Sequence, residues 1–95
     1  MEITIHLSAD AYDAYSTAEP PALLARIDQT IAHEVAARYQ CDAIVRRDLP
    51  GGARTEVDVQ PTPEGVDLDD MVRGVLAMLD PAADRACDAY ARDAQ

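Results

Sequence analysis

The chain is 95 residues long, enough for one domain with one modest core. It carries 18 acidic residues against eight arginines and no lysine, a formal net charge of −10. That balance argues against direct binding to nucleic-acid phosphates or an anionic membrane, because both require a basic surface. No apolar run approaches the roughly 20 residues of a membrane span, and the N-terminus has no signal-peptide pattern. We expect a soluble, cytoplasmic single domain over residues 1–95.

The first half of the chain predicts a strand followed by a long helix. Residues 2–7 alternate polar and apolar side chains, as in a strand with one buried face. Ser8 can cap a short helical turn that runs through Tyr15. After Pro20 and Pro21, an apolar stripe with helical spacing predicts a helix over residues 22–39. Its buried positions would be Leu24, Ile27, Ile31, Val35 and Tyr39, with Leu23 as an alternative in the first turn.

Two further strands are predicted on either side of a turn. Residues 43–47 are rich in β-branched side chains, and residues 54–60 alternate polar and apolar side chains. Between them, residues 49–53 contain the Pro-Gly-Gly sequence that turns favour. We therefore expect a hairpin in which Arg46 or Arg47 lies opposite Glu56 or Asp58.

The last third predicts two consecutive acidic helices. Asp67 can serve as the N-cap of the first, with Asp70 at the third helical position and Val66 stapled onto Met71. Asp80 and Pro81 repeat the start signal, a capping aspartate before a proline, and so predict a second helix after a break. The first helix would bury Leu68, Met71, Val72, Val75, Leu76 and Leu79. The second would bury Ala83, Ala86, Cys87, Tyr90 and Ala94.

The order of these elements predicts an α+β fold. It would be a two-layer sandwich with the order β-α-β-β-α-α, in which the helices cover one face of a three-stranded sheet.

The acidic side chains of the last third are the candidate partner-binding residues. They are Asp67, Asp69, Asp70, Asp80, Asp84 and Asp88. The last three recur every four residues and form an acidic stripe, although a merely solvated helix face would have the same pattern. Residues 1–19 carry a net charge of −4 and residues 61–95 a net charge of −5. If the two ends meet in the fold, they would form one strongly negative surface.

Catalytic and metal-binding patterns are weak. His6, His33, Cys41 and Cys87 lack the spacing of a zinc site. Nothing marks an oxyanion hole or an activated thiol for a Cys-His nucleophile pair. The aspartates of residues 67–70 lack the glycine and glutamate of a calcium loop. We therefore expect no enzyme activity, no cofactor and no metal.

In the order of its elements the chain resembles the DinI-like proteins, small bacterial modulators of the RecA recombinase filament. The resemblance rests on the leading strand Met1–Ile5, a long helix after prolines, a hairpin and a final acidic helix. It implies that a carboxylate-rich C-terminal helix inserts into the filament, a role that would fall on Asp69, Asp70, Asp80, Asp84 and Asp88. The chain departs from the family in the extra helical turn after the first strand and in the break at Pro81.

The sequence therefore supports a small acidic regulatory or inhibitory protein that binds a protein partner through carboxylates. Such a surface can mimic nucleic acid against a basic protein, as in phage-type inhibitors such as anti-CRISPR proteins. One alternative is a structural, oligomerisation or accessory module, including a homodimer, that packs through the alanines of the last helix. The other is a DinI-like modulator. Binding through carboxylates should weaken steeply with salt, whereas apolar packing should not.

Overall fold

A computed structural model of the protein describes residues 1–12, 20–61 and 64–93. These residues form three strands and two helices in the order β-α-β-β-α. The elements are β1 (Glu2–Ser8), α1 (Pro20–Tyr39), β2 (Asp42–Leu49), β3 (Glu56–Gln60) and α2 (Leu68–Asp93). The α+β class and the three-stranded sheet with helices packed on it are confirmed. Parts of two predictions, the turn through Tyr15 and the burial of Ala94, lie outside the described residues.

The sheet has the order β2-β1-β3, with β1 in the centre. β1 pairs in parallel with β2 and antiparallel with β3, so the predicted hairpin of β2 with β3 is wrong. The turn residues are present, and Ala53 N donates to Pro50 O at 3.1 Å. After this turn the chain nevertheless crosses to the other side of β1, where β3 pairs. The central position suits β1 because Ile3, Ile5 and Leu7 are all fully buried there.

The predicted cross-strand pairs fail for the same reason. Arg46 and Glu56 both have His6 as their register partner, one on each side of β1. Arg47 alternates to the opposite face of β2 and bonds to Asp28 of α1. Arg46 is therefore exposed on the face of the sheet away from α1, Arg47 faces α1, and neither arginine sets a β2–β3 register.

Both helices pack on the face of β1 that carries its three apolar side chains. The stripe of α1 is confirmed at Ile27, Ile31 and Val35, which are fully buried. Leu23 is also buried, whereas Leu24 and Tyr39 are half-buried at the edge of the core. α1 lies beside β2, α2 lies beside β3, and the two helices contact each other.

The prediction of two C-terminal helices is wrong, because α2 continues through Pro81. Proline at this position removes the N–H that would bond to the carbonyl of Ala77, four residues earlier. Buried side chains on both sides of the proline hold the two halves in one helix. They are Met71, Val75 and Leu79 before it and Ala82, Ala83 and Ala86 after it. Tertiary packing outweighs the local start signal here.

Two leucines predicted to be buried in α2 lie at the surface. Leu68 and Leu76 are each 38% exposed. Leu68 is the first residue of the helix, and Leu76 lies beside the buried stripe rather than within it. Val72, also predicted to be buried, is half-buried. Neither helix of the described chain is long and apolar enough to cross a membrane.

Candidate protein-binding surface on the C-terminal helix

The N-terminus of α2 is capped by Asp67. Its Oδ1 accepts hydrogen bonds from the backbone N–H groups of Asp69 at 3.0 Å and Asp70 at 3.4 Å. This confirms the predicted N-cap, because a capping carboxylate satisfies the N–H groups that the first turn leaves unpaired. Of the six predicted partner-binding aspartates, Asp67 therefore has a structural role in starting the helix.

The other five predicted aspartates are brought to one side of α2. In an α-helix each residue turns about 100° and rises about 1.5 Å. On this geometry the five carboxylates fall within about a third of the circumference and extend over about 28 Å. All five residues are exposed: Asp69, Asp70, Asp80, Asp84 and Asp88. We call these residues the acidic face. It exists as one surface because α2 does not break at Pro81.

Arg85 of α2 faces α1 rather than the acidic face. Arg85 donates from Nε to Glu34 of α1 at 2.9 Å and from Nη2 to the other oxygen of the same carboxylate. This contact holds the pKa of Glu34 below its usual value. At the end of α2 a second ion pair has its arginine on α1 and its carboxylate on α2, and Arg26 donates to Asp93 at 2.7 Å. These ion pairs lie along the α1–α2 boundary.

One arginine lies within the acidic face. Arg73 is 77% exposed, and its Nη1 is 3.8 Å from Asp70 Oδ1, one turn earlier in the helix. An exposed pair of this length contributes little to stability. The acidic face therefore keeps a strong excess of negative charge.

Tyr12, in the turn after β1, contacts the acidic face of α2. Tyr12 donates from its hydroxyl to Asp80 Oδ1 at 3.1 Å, which ties the turn after β1 to the middle of the acidic face. Asp10 instead accepts from the backbone N–H of Gly52 at 3.0 Å, and this bond lowers the pKa of its carboxyl. Asp13 and Glu19, which belong to the predicted joint surface of the two ends, lie outside the described residues.

A second charged cluster lies on the face of the sheet that the helices leave open. His6 Nδ1 is 2.9 Å from both carboxylate oxygens of Asp48 on β2, and its Nε2 is 3.2 Å from Asp58 Oδ2 on β3. The bond to Asp48 raises the pKa of His6 above 6.5, against a smaller opposing effect of burial. The protonated ring can donate to both carboxylates, so it links the two outer strands through β1.

Sequence reasoning did not find this cluster. The two-residue period of β1 places His6 opposite in direction to Ile5 and Leu7, and that signal was available. Its partners could not be found, because they follow from a sheet order in which β1 separates β2 from β3.

In the part of the chain that the structure describes, His6, His33, Cys41 and Cys87 are not gathered into a metal site. Within residues 1–12, 20–61 and 64–93, no group of three His, Cys, Asp or Glu side chains is arranged to hold a metal ion. Cys41 and Cys87 are half-buried free thiols, and burial raises the pKa of both. They are therefore protonated at neutral pH and are weak nucleophiles. His33 lies in an open groove along α1 that is also lined by Arg26, Gln29, Thr30 and Glu34.

Comparisons with family models, curated proteins and solved structures find no match to this chain. The resemblance to the DinI-like proteins therefore stays a prediction.

Proposed function

We propose that the protein is a small regulatory or inhibitory protein that binds the basic, nucleic-acid-binding surface of a partner protein through its acidic face. The observation that carries the proposal is the continuity of α2 through Pro81. Continuity gives five carboxylates fixed positions on one side of one rigid element. Preorganised charges of this kind favour fast, salt-sensitive association with Arg and Lys side chains.

The charge distribution around α2 supports this function. Arg26 and Arg85 are engaged by carboxylates at the α1–α2 boundary, so they do not neutralise the acidic face. The spacing also fits a phosphate-like array, because Asp80, Asp84 and Asp88 follow one another at about 6 Å along the helix axis. A nucleic-acid mimic that acts in the manner of an anti-CRISPR protein would use such an array.

The alternative of a module that packs through the alanines of the last helix has less surface to use. Ala82, Ala83 and Ala86 are buried in the protein's own core. Of the described alanines in this part of α2, Ala91 is exposed and Ala89 is half-buried. A DinI-like action on a RecA filament would use the same acidic face and is one case of the proposed binding.

The test is affinity capture from the source cell's lysate at low and high salt. The wild type is compared with a variant that combines Asp69→Asn, Asp80→Asn, Asp84→Asn and Asp88→Asn. We expect a nucleic-acid-binding protein to be retained by the wild type at low salt and to be lost with the variant or at high salt. The wild type should then compete with nucleic acid for the captured protein.

A matched control removes four carboxylates elsewhere. Glu2→Gln, Asp42→Asn, Glu56→Gln and Glu64→Gln change the net charge equally at exposed positions outside α2. This control should retain the partner. Equal loss with both variants would show that net charge alone is responsible, and equal retention would show that the acidic face is only solvated.

A further inference from the structure

β2 is an edge strand whose outer side no other strand of the described chain covers. It is long enough to pair, with eight residues from Asp42 to Leu49. On the open face of the sheet it carries Asp42, Ile44, Arg46 and Asp48, of which Ile44 is apolar and 38% exposed. Exposed edge strands are templates for pairing with another chain.

The side chains of β2 are complementary to a second, antiparallel copy of β2 in one register. When Ile44 lies opposite Ile44 of the second copy, each Asp42 lies opposite an Arg46 on the open face. On the other face each Ala43 then lies opposite a Val45. The pairing gives two ion pairs and three apolar pairs, which are the contacts that stabilise antiparallel strands.

Neighbouring registers lack this complementarity. Centring the pair on Val45 places Asp42 opposite Asp48 and Ile44 opposite Arg46. Centring it on Arg46 places the two copies of that arginine opposite each other. Like charges directly opposite destabilise strand pairs, so the charge pattern specifies the Ile44-centred register.

The helix above this edge would allow two copies to approach. Asp28 lies on the side of α1 that faces β2, since it accepts two hydrogen bonds from the Arg47 guanidinium. Helical spacing places Ala25, Ala32 and Ala36 on the same side, away from the Arg26 and Glu34 that face α2. Small side chains there leave room for two α1 helices to lie side by side at the usual 8–10 Å interaxial distance.

We propose that the protein forms a homodimer by antiparallel pairing of β2 with β2 of a second copy, in the register that places Ile44 opposite Ile44. The two sheets become one six-stranded sheet with the order β3-β1-β2-β2-β1-β3. The β2–β2 pair buries the two copies of Ile44 against each other. The two α1 helices meet above this pair.

This dimer does not depend on the proposed function. α2 lies beside β3, so the two acidic faces are carried at opposite ends of the joined sheet. The outer strands are separated by five strand spacings of about 4.8 Å each. Placing the acidic faces far apart limits their repulsion, and the dimer presents two equivalent copies of the face.

The first experiment measures the mass of the protein by sedimentation velocity over a wide concentration range at moderate salt. The wild type should form dimers as concentration rises. Asp42→Arg alone and Arg46→Asp alone place like charges opposite each other twice per dimer, and each should raise the dimer dissociation constant by at least about tenfold. The double variant restores both ion pairs with reversed signs and should dimerise like the wild type. Glu56→Arg makes the same charge change as Asp42→Arg on the other edge strand and should have little effect.

The second experiment locates the two-fold axis. In a Cys41→Ser, Cys87→Ser background, Ile44→Cys should form an intermolecular disulfide under mild oxidation, because directly opposite Cβ atoms lie about 5 Å apart. Glu56→Cys in the same background should not. This measurement also decides the matter if either charge variant fails to fold, as judged by circular dichroism.

A protein that is monomeric at every concentration overturns the dimer. So does a dimer that neither charge variant weakens, or a folded double variant that stays monomeric. The fourfold Asn variant of the acidic face should still dimerise, and Asp42→Arg should still capture the partner, so failure of one proposal is distinguishable from failure of the other.

Discussion

Arg47 donates two parallel hydrogen bonds to the Asp28 carboxylate, from Nε and from Nη2, each 2.9 Å long. Its Nη1 also donates to the backbone carbonyl of Ala11 at 2.6 Å. One side chain therefore joins β2, α1 and the turn after β1. Both members of the ion pair are mostly buried, with 18% and 23% of their side chains exposed, so solvent screens this pair less than it screens a surface pair.

Replacing Arg47 by lysine should therefore destabilise the protein although the charge is kept. Lysine cannot donate in the two-pronged geometry that the Asp28 carboxylate requires. We expect a loss of about 1–2 kcal/mol in the free energy of unfolding, measured by urea denaturation. Arg46→Lys is the control, because Arg46 is exposed on the other face of β2. Equal effects of the two variants would contradict the structural role of the pair.

The His6 cluster should make stability depend on pH. The pKa of His6 is raised in the folded protein. Its contribution is therefore fully present below the unfolded pKa of about 6.5, and is lost as pH rises through the higher folded value. The melting temperature of the wild type should exceed that of His6→Gln by more at about pH 5.5 than at about pH 8.5.

Removing the partners of His6 provides the control. In a background with Asp48→Asn and Asp58→Asn, the groups that raise the pKa of His6 are gone. The difference between His6 and His6→Gln should then vary much less with pH. A difference that is the same at both pH values in the original background would show that the ring does not act through its charge.

The cap of α2 should be measurable separately from the acidic face. Asp67→Ala leaves the N–H groups of Asp69 and Asp70 without their acceptor and should cost about 1 kcal/mol of stability. Asp67→Asn keeps an acceptor oxygen at this position and should cost much less. Both are compared by urea denaturation. If Asp67→Asn is as damaging as Asp67→Ala, the negative charge rather than the cap matters.

Local signals in the sequence predicted local structure. The alternation in β1, the stripe of α1 and the cap at Asp67 each depend on residues within a few positions of one another. The hairpin prediction failed because Pro50 and the following glycines specify a turn but not the strand that pairs next to it. The prediction of a break at Pro81 failed similarly, because the burial of side chains on both sides of the proline keeps α2 continuous, and that burial depends on the tertiary fold.

In the candidate site, too, local features could be predicted from the sequence and tertiary contacts could not. Asp69, Asp70, Asp80, Asp84 and Asp88 were predicted, because charge spacing on a helix is visible in the sequence. Their assembly into one acidic face depends on a continuous helix, which the sequence pattern argued against. The contact of Tyr12 with Asp80 and the His6 cluster join residues more than 40 positions apart. Only the tertiary fold brings such pairs together.

A close approach between the helices should show itself in a double-mutant cycle at Gly74 and Tyr39. A methyl group at Gly74 would overlap the hydroxyl of Tyr39 and would be in ordinary contact with the ring carbon that carries it. Gly74→Ala should therefore destabilise the wild type, although alanine favours helix by about 1 kcal/mol over glycine. In a Tyr39→Phe background the overlap is removed, and the same substitution should be neutral or stabilising. Thermal unfolding of the wild type, the two single variants and the double variant measures the coupling between the two substitutions. A cycle without coupling would show that the Tyr39 hydroxyl does not lie against Gly74.

Pro81 should be a point where α2 can be made more stable. It is exposed and lies in the interior of the helix. Pro81→Ala restores the N–H that can bond to the carbonyl of Ala77 and removes the ring that crowds that carbonyl. We expect a gain of about 1 kcal/mol or more in the free energy of unfolding, with higher helix content by circular dichroism. Pro50→Ala, at an exposed turn, is the comparison and should not raise helix content. A loss of stability in Pro81→Ala would mean that the proline starts a separate helix, and the carboxylates on either side of it would then not form one face.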